Sequence, residues 1–145
     1  MSDSRTIESL NRLLRIVHCS LPAYLHVVHP WTGRRGREVL DLLRRIAEDH
    51  GRLACRLAEA IRQRGGVPDA RGFPDEFTDL HDVALDFLVR KVIERQVCEL
   101  AAIECDVAEL ERDPELRSLA QNLMATARLH LELLRQAEVK LGVRS

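Results

Sequence analysis

The sequence predicts an all-α protein, built as an antiparallel four-helix bundle. Apolar residues recur every three or four positions along most of the 145-residue chain, which is the spacing of an amphipathic helix. Aromatic residues make up only 3% of the sequence and β-branched residues seldom cluster, so signals for strands are scarce. Segments rich in proline and glycine divide the helical pattern into four parts, each long enough to pack lengthwise against the others.

The first predicted helix covers about residues 6–28. Ile7, Leu10, Leu14 and Val17 begin its seam of apolar residues, spaced by three and four positions. Pro22 lies inside this range and is expected to kink the helix or loosen its last turns, because proline has no backbone donor. The sequence HPWTGRRG then ends the helix.

The other three helices are bounded by turn and cap signals. The second is predicted at about residues 37–64, where Gly65 and Gly66 end it. The third is predicted at about residues 79–112. Asp113 followed by Pro114 is typical of a helix cap and a first helical residue, so the fourth is expected at about residues 114–141.

A long connection separates the second and third helices. Its sequence, GGVPDARGFPDEFTD, has about 15 residues, which is long for neighbouring helices of a bundle. A helix of about 28 residues is about 42 Å long, and about 15 extended residues reach about 50 Å. The connection is therefore long enough to cross back over the bundle, which leaves the second and third helices parallel.

Several polar residues are predicted to lie together midway along the bundle. His50 falls on the buried stripe of the second helix, and His130 falls on that of the fourth. Glu94 is placed centrally on the third helix with Lys91 one turn before it, and His18 is central on the first. Unpaired polar groups are costly to bury, so such a layer requires either internal partners or a ligand.

The helix order, the long crossover and the positions of His50, Glu94 and His130 resemble the ferritin-like di-iron carboxylate proteins, such as bacterioferritin and rubrerythrin, over about residues 6–141. The resemblance implies a ferritin-like bundle. The resemblance also allows this sequence to be compared with the metal ligands of the family. Family members hold two metals with a Glu on the first helix, a Glu on the third, and Glu-x-x-His on the second and fourth. His50 and His130 match the two motif histidines, and Glu94 matches the third-helix glutamate.

The sequence departs from this family at the other metal ligands. Ala47 and Ala127 stand where the two motif glutamates are expected, and the first helix offers His18 or Val17 instead of a carboxylate. Two adjacent metal ions need several anionic oxygens to offset their charge, and Glu94 alone does not supply them. A ferroxidase or oxygen-activating di-iron centre is therefore not expected.

Three interpretations of the layer remain open. In the first, no metal or cofactor is bound: Lys91 takes the place of the lost cations and pairs with Glu94, while the histidines complete a hydrogen-bond network. In the second, one zinc or iron ion is held by His50, Glu94 and His130, with His18 as a fourth ligand. In the third, a small organic ligand lies in the bundle.

Composition and charge limit the partners. With 22 basic and 23 acidic residues the net charge is -1, which gives no electrostatic reason to expect nucleic acid. No apolar stretch approaches the roughly 20 residues that span a bilayer, and the first residues lack a secretory-signal pattern, so the expected location is cytoplasmic without a membrane. The four cysteines form no C-x-x-C pair and are expected to be small buried thiols.

These observations favour a ferritin-like bundle that has lost its di-iron centre and acts as a non-catalytic structural or interaction protein. The competing function is a mononuclear zinc or iron protein, or an oxidoreductase, with a site in the core. Leu85, Leu88, Val89 and Val92 give the third helix a second apolar face, which predicts a homodimer through a helix face.

Overall fold

The computed structural model describes residues 2–18, 20–22, 37–69 and 85–143. Four long helices occupy these ranges: α1 (Ser2–His18), α2 (Arg37–Gln63), α3 (Leu85–Leu110) and α4 (Arg117–Val143). The main helix contacts pair α1 with α2, α3 with α4, α1 with α3 and α2 with α4, so α2 and α3 lie diagonally across the bundle. The described residues contain no strand. The predicted all-α four-helix bundle is confirmed.

The first helix ends earlier than its apolar seam suggests. Pro22 has no N–H to bond the carbonyl of His18, and its ring would crowd that carbonyl. The helix accordingly stops at His18, Ser20 is non-helical, and helical geometry resumes at Leu21. Residues 23–28 of the predicted continuation lie outside the described residues.

The second helix ends close to the predicted position, at a glycine in the left-handed conformation. Gly65 has a φ of 77°, which side chains rarely tolerate. The Gly66 amide donates to the Ile61 carbonyl and the Gly65 amide to the Arg62 carbonyl, both at 3.0 Å. These two bonds satisfy carbonyls at the end of α2 and turn the chain back toward α1.

The first residues of the crossover run alongside α1. Gly66 packs so closely on the Ile7 side chain that a Cβ there would lie 2.9 Å from the Ile7 Cγ2. Further along, the Asp69 amide donates to Asn11 Oδ1 at 2.8 Å, and Asp69 Oδ2 accepts from Arg15 Nη2 at 2.8 Å. The chain therefore starts back along the bundle, as the length of the connection predicts. The rest of the crossover, residues 70–84, lies outside the described residues.

An ion pair shows that α2 and α3 point the same way. Arg64 follows the end of α2, and its Nη2 lies 2.6 Å from Oδ2 of Asp113, which follows the end of α3. The two helices thus end at the same end of the bundle, which confirms the predicted parallel arrangement. Asp113 also caps the turn between α3 and α4, because its Oδ1 accepts from the Glu115 amide at 2.9 Å. The fourth helix begins at Arg117, after this turn, and not directly at Pro114.

The core forms two apolar clusters at different heights. The lower cluster combines residues near the end of α2 and α3 with α1 and the start of α4, including Leu13, Leu57, Leu110 and Leu123. The upper cluster consists of Leu21, Val39, Leu43, Ile46, Leu88, Val89, Val92 and Leu134. Between the clusters each of α2, α3 and α4 carries a buried polar residue.

Two expectations about the surface are wrong. Leu88, Val89 and Val92 are at most 1% exposed, so they fill the upper cluster and do not form a second, free face of α3. Leu85's side chain lies outside the described residues. The cysteines at positions 55, 98 and 105 are exposed free thiols, and not buried ones. Among the described helices, none has the length and apolar character needed to cross a membrane.

Gly51, within α2, and Gly66, after its end, provide a matched test of how the crossover packs on α1. We expect Gly66→Ala to destabilise the protein by about 1–3 kcal/mol, because its methyl would overlap Ile7 and Ile61. Gly51→Ala should stabilise it by about 0.5–1 kcal/mol, because Gly51 lies within α2 with nothing within 4 Å of a new Cβ. Urea denaturation measures both changes. Equal effects of the two substitutions would contradict the packing of the crossover on α1.

Candidate functional site

A layer of buried polar side chains separates the two apolar clusters. Ser20 follows α1, His50 lies on α2, Gln96 on α3 and His130 on α4, so all four parts of the bundle contribute. Their exposed fractions are 1%, 6%, 4% and 1%, respectively. We call these four residues the polar layer. Its burial is complete enough that each polar atom needs a partner within the protein.

The periodicity of α2 and α4 places both histidines inside. His50 shares a helix face with the buried Ile46, Ala47 and Leu53, which lie three or four positions away. His130 is likewise spaced three and four positions from Ala127 and Leu134. The predicted burial of His50 and His130 is confirmed. Their rings meet edge to face, with centroids 5.2 Å apart and planes inclined by 68°.

Hydrogen bonds extend from the histidine pair in both directions. On one side, Ser20 Oγ lies 2.8 Å from His50 Nδ1. On the other, His130 Nε2 lies 2.8 Å from Asp49 Oδ2, and the second oxygen of Asp49 is paired with Arg52. Arg52 is 70% exposed and Asp49 19% exposed. A continuous series of contacts therefore links a surface guanidinium to the centre of the core.

The Asp49 contact determines which nitrogen of a neutral His130 ring carries the hydrogen. A carboxylate oxygen accepts, so the hydrogen of a neutral His130 lies on Nε2 and its Nδ1 is left as an acceptor. Within the described residues this buried Nδ1 has no hydrogen-bond partner, and neither has Nε2 of Gln96. Among the described residues, the polar layer thus contains one acceptor and one amide NH₂ group without hydrogen-bond partners.

Burial keeps both imidazoles neutral. Burial, together with the neighbouring His130 and against the opposing charge of Asp49, lowers the pKa of His50 to about 3. Burial also lowers the pKa of His130, although the hydrogen bond and charge of Asp49 act in the opposite direction. Two neutral rings can lie in contact without the repulsion that two imidazolium ions would experience.

A carboxyl group on α3 lies close to the same height as the polar layer. Glu99 follows Gln96 by three residues, about 4.5 Å along the helix axis, and its side chain is 14% exposed. Burial raises the pKa of Glu99 to about 7, while Arg95, whose Nε lies 3.9 Å from Glu99 Oε1, lowers it. Asp49, Gln96 and Glu99 were not expected at this site from the sequence.

The structure does not place the other predicted residues in the layer. The Glu94 side chain is 56% exposed and lies 3.3 Å from Lys91 Nζ, which in turn lies 5.5 Å from the Phe87 ring centroid. The predicted pair of Glu94 and Lys91 exists, but it lies on the surface. His18 is also exposed. The expectation that Glu94, Lys91 and His18 lie beside the two buried histidines is therefore wrong, because their side chains project from the outer sides of α3 and α1.

The donor set does not fit a di-iron centre. Ala47 and Ala127 are buried, 8% and 7% exposed, one turn before each histidine where the family has glutamates. On α3 the buried position is the amide Gln96. The carboxylate nearest the rings, Asp49, is already bound to His130 and Arg52. The described part of the chain contains no group of three or more His, Cys, Asp or Glu residues arranged to hold a metal ion.

Among the comparisons with known proteins, the one with solved structures finds a similar fold. No family model matches the sequence, and no curated protein matches it. The structure is similar to a crystal structure of ferritin like, diiron-carboxylate proteins from Bacillus anthracis str. Ames, with a TM-score of 0.74 over 94% of this chain and 96% of that chain. The two sequences are 18% identical. The chain adopts the ferritin-like four-helix-bundle fold, as its sequence predicts.

Removing the acceptor of His130 tests the network. We expect Asp49→Ala to destabilise the protein by about 1–3 kcal/mol, because both nitrogens of the buried His130 ring would then lack partners. Glu48→Ala is the control, since Glu48 is an exposed neighbour, and should change stability by no more than about 0.5 kcal/mol. Chemical denaturation at neutral pH provides the comparison. A loss for Asp49→Ala no larger than that for Glu48→Ala would refute the role of this contact.

The raised pKa of Glu99 predicts a particular pH dependence. The folded-state pKa exceeds the unfolded value of 4.5, so the folded chain binds the extra proton between pH 4.5 and 7. Its contribution to stability is complete below pH 4.5 and is lost as the pH rises through 7. Glu99→Gln cannot ionise, so its stability relative to the parent should increase over this range by about 1–3 kcal/mol.

The matched control for this titration is Glu94→Gln, on the exposed side of the same helix. Its stability should follow the parent's at every pH. Urea midpoints measured from pH 4 to 8 distinguish the two variants. A Glu99→Gln profile parallel to the parent's would mean that Glu99 titrates as an ordinary surface carboxyl.

Proposed function

We propose that this chain is a ferritin-like bundle that has lost the di-iron centre and acts as a non-catalytic structural or interaction protein. One observation carries the proposal: the two histidines at the ligand positions are engaged by Ser20 and Asp49, while Ala47 and Ala127 occupy the positions of the missing carboxylates. The interior that would hold two cations is thus occupied by uncharged groups.

In this proposal the polar layer determines how the helices align. A shift of α2 along α4 by one turn would separate His130 from Asp49 and bury polar atoms against leucines, at a cost of about 1–3 kcal/mol for each unpaired group. An all-apolar core would tolerate such a shift more readily. A buried polar pair of this kind contributes less to stability than to the choice of a single helix register.

A second candidate is a mononuclear zinc or iron protein, including an oxidoreductase. It is favoured by the buried, unpartnered Nδ1 of His130, which lies on a ring 5.2 Å from that of His50. Metal–nitrogen bonds of about 2.0–2.1 Å allow two imidazoles at such a separation to share one ion. Further ligands would have to come from Asp49 or from solvent, since Glu94 and His18 are exposed.

We further propose a homodimer in the cytoplasm, without nucleic acid, membrane or cofactor. The exposed thiols of Cys55, Cys98 and Cys105 support a reducing compartment, where free cysteines persist. The net charge of -1 supports the absence of a nucleic-acid partner.

Metal analysis of the purified protein tests the proposed function. Chain prepared without added metal should contain far less than one equivalent of zinc or iron. His50→Ala and His130→Ala should leave this content unchanged but lower the melting temperature, because each removes part of a buried network. His18→Ala, at an exposed position, should alter neither quantity. Near-stoichiometric metal that disappears in both core variants would establish the mononuclear alternative instead.

A further inference from the structure

Two buried polar groups on neighbouring helices of the polar layer have no hydrogen-bond partner among the described residues. One is Nδ1 of His130 on α4, and the other is Nε2 of Gln96 on α3. The two residues are 1% and 4% exposed, respectively. Buried polar atoms without a partner are rare in folded proteins, because each gives up its hydrogen bonds with solvent and gains none in return. These two atoms therefore indicate a binding site inside the layer.

The register of α3 against α4 places the two side chains at the same height. The two helices are antiparallel neighbours, joined by a short turn. Val92 of α3 and Leu134 of α4 both belong to the upper cluster. Gln96 follows Val92 by four residues, and His130 precedes Leu134 by four residues. Equal steps in opposite chain directions cover equal distances along the bundle, here about 6 Å each.

The same count holds on the other side of the layer. Ile103 of α3 and Leu123 of α4 both belong to the lower cluster. Gln96 precedes Ile103 by seven residues, and His130 follows Leu123 by seven residues. Seven residues are close to two helical turns, so each polar side chain shares the core face of its helix with these apolar residues. The Gln96 amide and the His130 ring thus face the same space between α3 and α4.

The chemistry of the two groups limits what can bind between them. Nδ1 of His130 is an acceptor, because the ring hydrogen lies on Nε2 and is donated to Asp49. The Gln96 amide nitrogen is a donor. A cation would meet the amide hydrogens, and an anion would meet the lone pair of Nδ1. The site therefore favours a small uncharged molecule that donates one hydrogen bond and accepts another.

We propose that one water molecule is bound inside the polar layer, where it donates a hydrogen bond to His130 Nδ1 and accepts one from Gln96 Nε2. Internal waters typically have two to four polar partners of this kind. Direct hydrogen bonds of the layer join Ser20 to His50 and His130 to Asp49, and the water adds α3 to this network. The inference rests on the proposed function, in which the layer holds no metal and determines how the helices align.

A protonated Glu99 is the competing donor to His130 Nδ1. It follows Gln96 by three residues on α3, and burial raises its pKa to about 7. A hydrogen bond donated by the Glu99 carboxyl would be lost as the pH rises through 7, because the carboxylate can only accept. A hydrogen bond donated by water would persist across this range. The two donors are therefore distinguished by pH.

The variant Gln96→Met tests the site through the sign of its effect on stability. Methionine keeps an unbranched side chain and removes the amide. If the amide binds a bridging water, its removal leaves the layer with fewer hydrogen bonds, and the melting temperature should fall by about 3–8 °C. An amide without a partner would be costly to bury, so its replacement would raise the melting temperature. A value equal to the parent's or higher would overturn the proposal.

The control for this comparison is Gln121→Met. Gln121 is exposed on α4, so the same chemical change there should alter the melting temperature by no more than about 2 °C. Circular dichroism of both variants confirms that the helices are retained.

Nuclear magnetic resonance of ¹⁵N-labelled protein detects the water directly. At neutral pH, Nδ1 of His130 should resonate upfield of an imidazole nitrogen that accepts no hydrogen bond, and its shift should stay constant from pH 5 to 8. The side-chain amide hydrogens of Gln96 should show cross-peaks at the water frequency. Opposite signs of these cross-peaks in NOE and ROE spectra distinguish a bound water from proton exchange.

Three spectroscopic outcomes overturn the proposal. The first is an Nδ1 shift typical of a nitrogen that accepts no hydrogen bond. The second is a hydrogen-bonded shift without a water contact at Gln96, which would mean that the amide donates directly to His130. The third is a hydrogen-bonded shift that disappears as the pH rises through 7, which would identify Glu99 as the donor.

The proposed function and the water site can fail separately. Near-stoichiometric metal that disappears in His130→Ala would refute the proposed loss of the metal centre, and with it the water at Nδ1. Metal-free protein whose His130 Nδ1 accepts no hydrogen bond would refute the water site alone and leave the proposed function standing.

Discussion

The contact between His50 and His130 is the interaction on which the interior of this bundle depends. It lies between two apolar clusters and connects to Ser20 on one side and to Asp49 on the other. Pro22 prevents α1 from continuing past His18, so Ser20 lies outside the helix, where its hydroxyl can contact His50. A local constraint in the first helix thus supplies a hydrogen bond to the centre of the second.

The alanines near the histidines belong to the same arrangement. Ala47 and Ala127 lie one turn before His50 and His130 on the same buried faces. In the ferritin-like family glutamates at these positions reach inward toward metal ions. Here the small side chains leave the rings to contact each other directly, with centroids 5.2 Å apart. The small side chains of Ala47 and Ala127 therefore allow α2 and α4 to pack through their imidazoles.

Sequence periodicity predicts the buried residues correctly where a helix has a single apolar face. It located His50 and His130 correctly, and the length of the crossover gave the parallel arrangement of α2 and α3. It failed on α3, where apolar residues occur nearly all round the helix. With no single stripe to follow, Glu94 was assigned to the interior in place of Gln96.

Asp49 illustrates a different limit of sequence analysis. It neighbours His50 in sequence, so helix geometry turns it about 100° away from the core stripe. That direction nevertheless faces α4, and Asp49 reaches His130 from the flank. Periodicity describes the side of a helix that faces the centre of the bundle. It does not identify the flanking residues that reach the neighbouring helix, because these depend on the distance and crossing of two particular helices.

Charge balance accounts for the uncharged groups at the centre of the polar layer. A pair of metal ions requires buried carboxylates, and carboxylates without the ions would be costly to bury. In this chain the carboxylate nearest the rings lies at the edge of the core and is paired with the surface residue Arg52. The groups further inside are uncharged: two neutral imidazoles, a hydroxyl and an amide. Burial raises the pKa of Glu99 to about 7, so this acid is also easily neutralised. Among the described residues, these neutral groups leave the centre of the polar layer without a buried charge that a cation would have to balance.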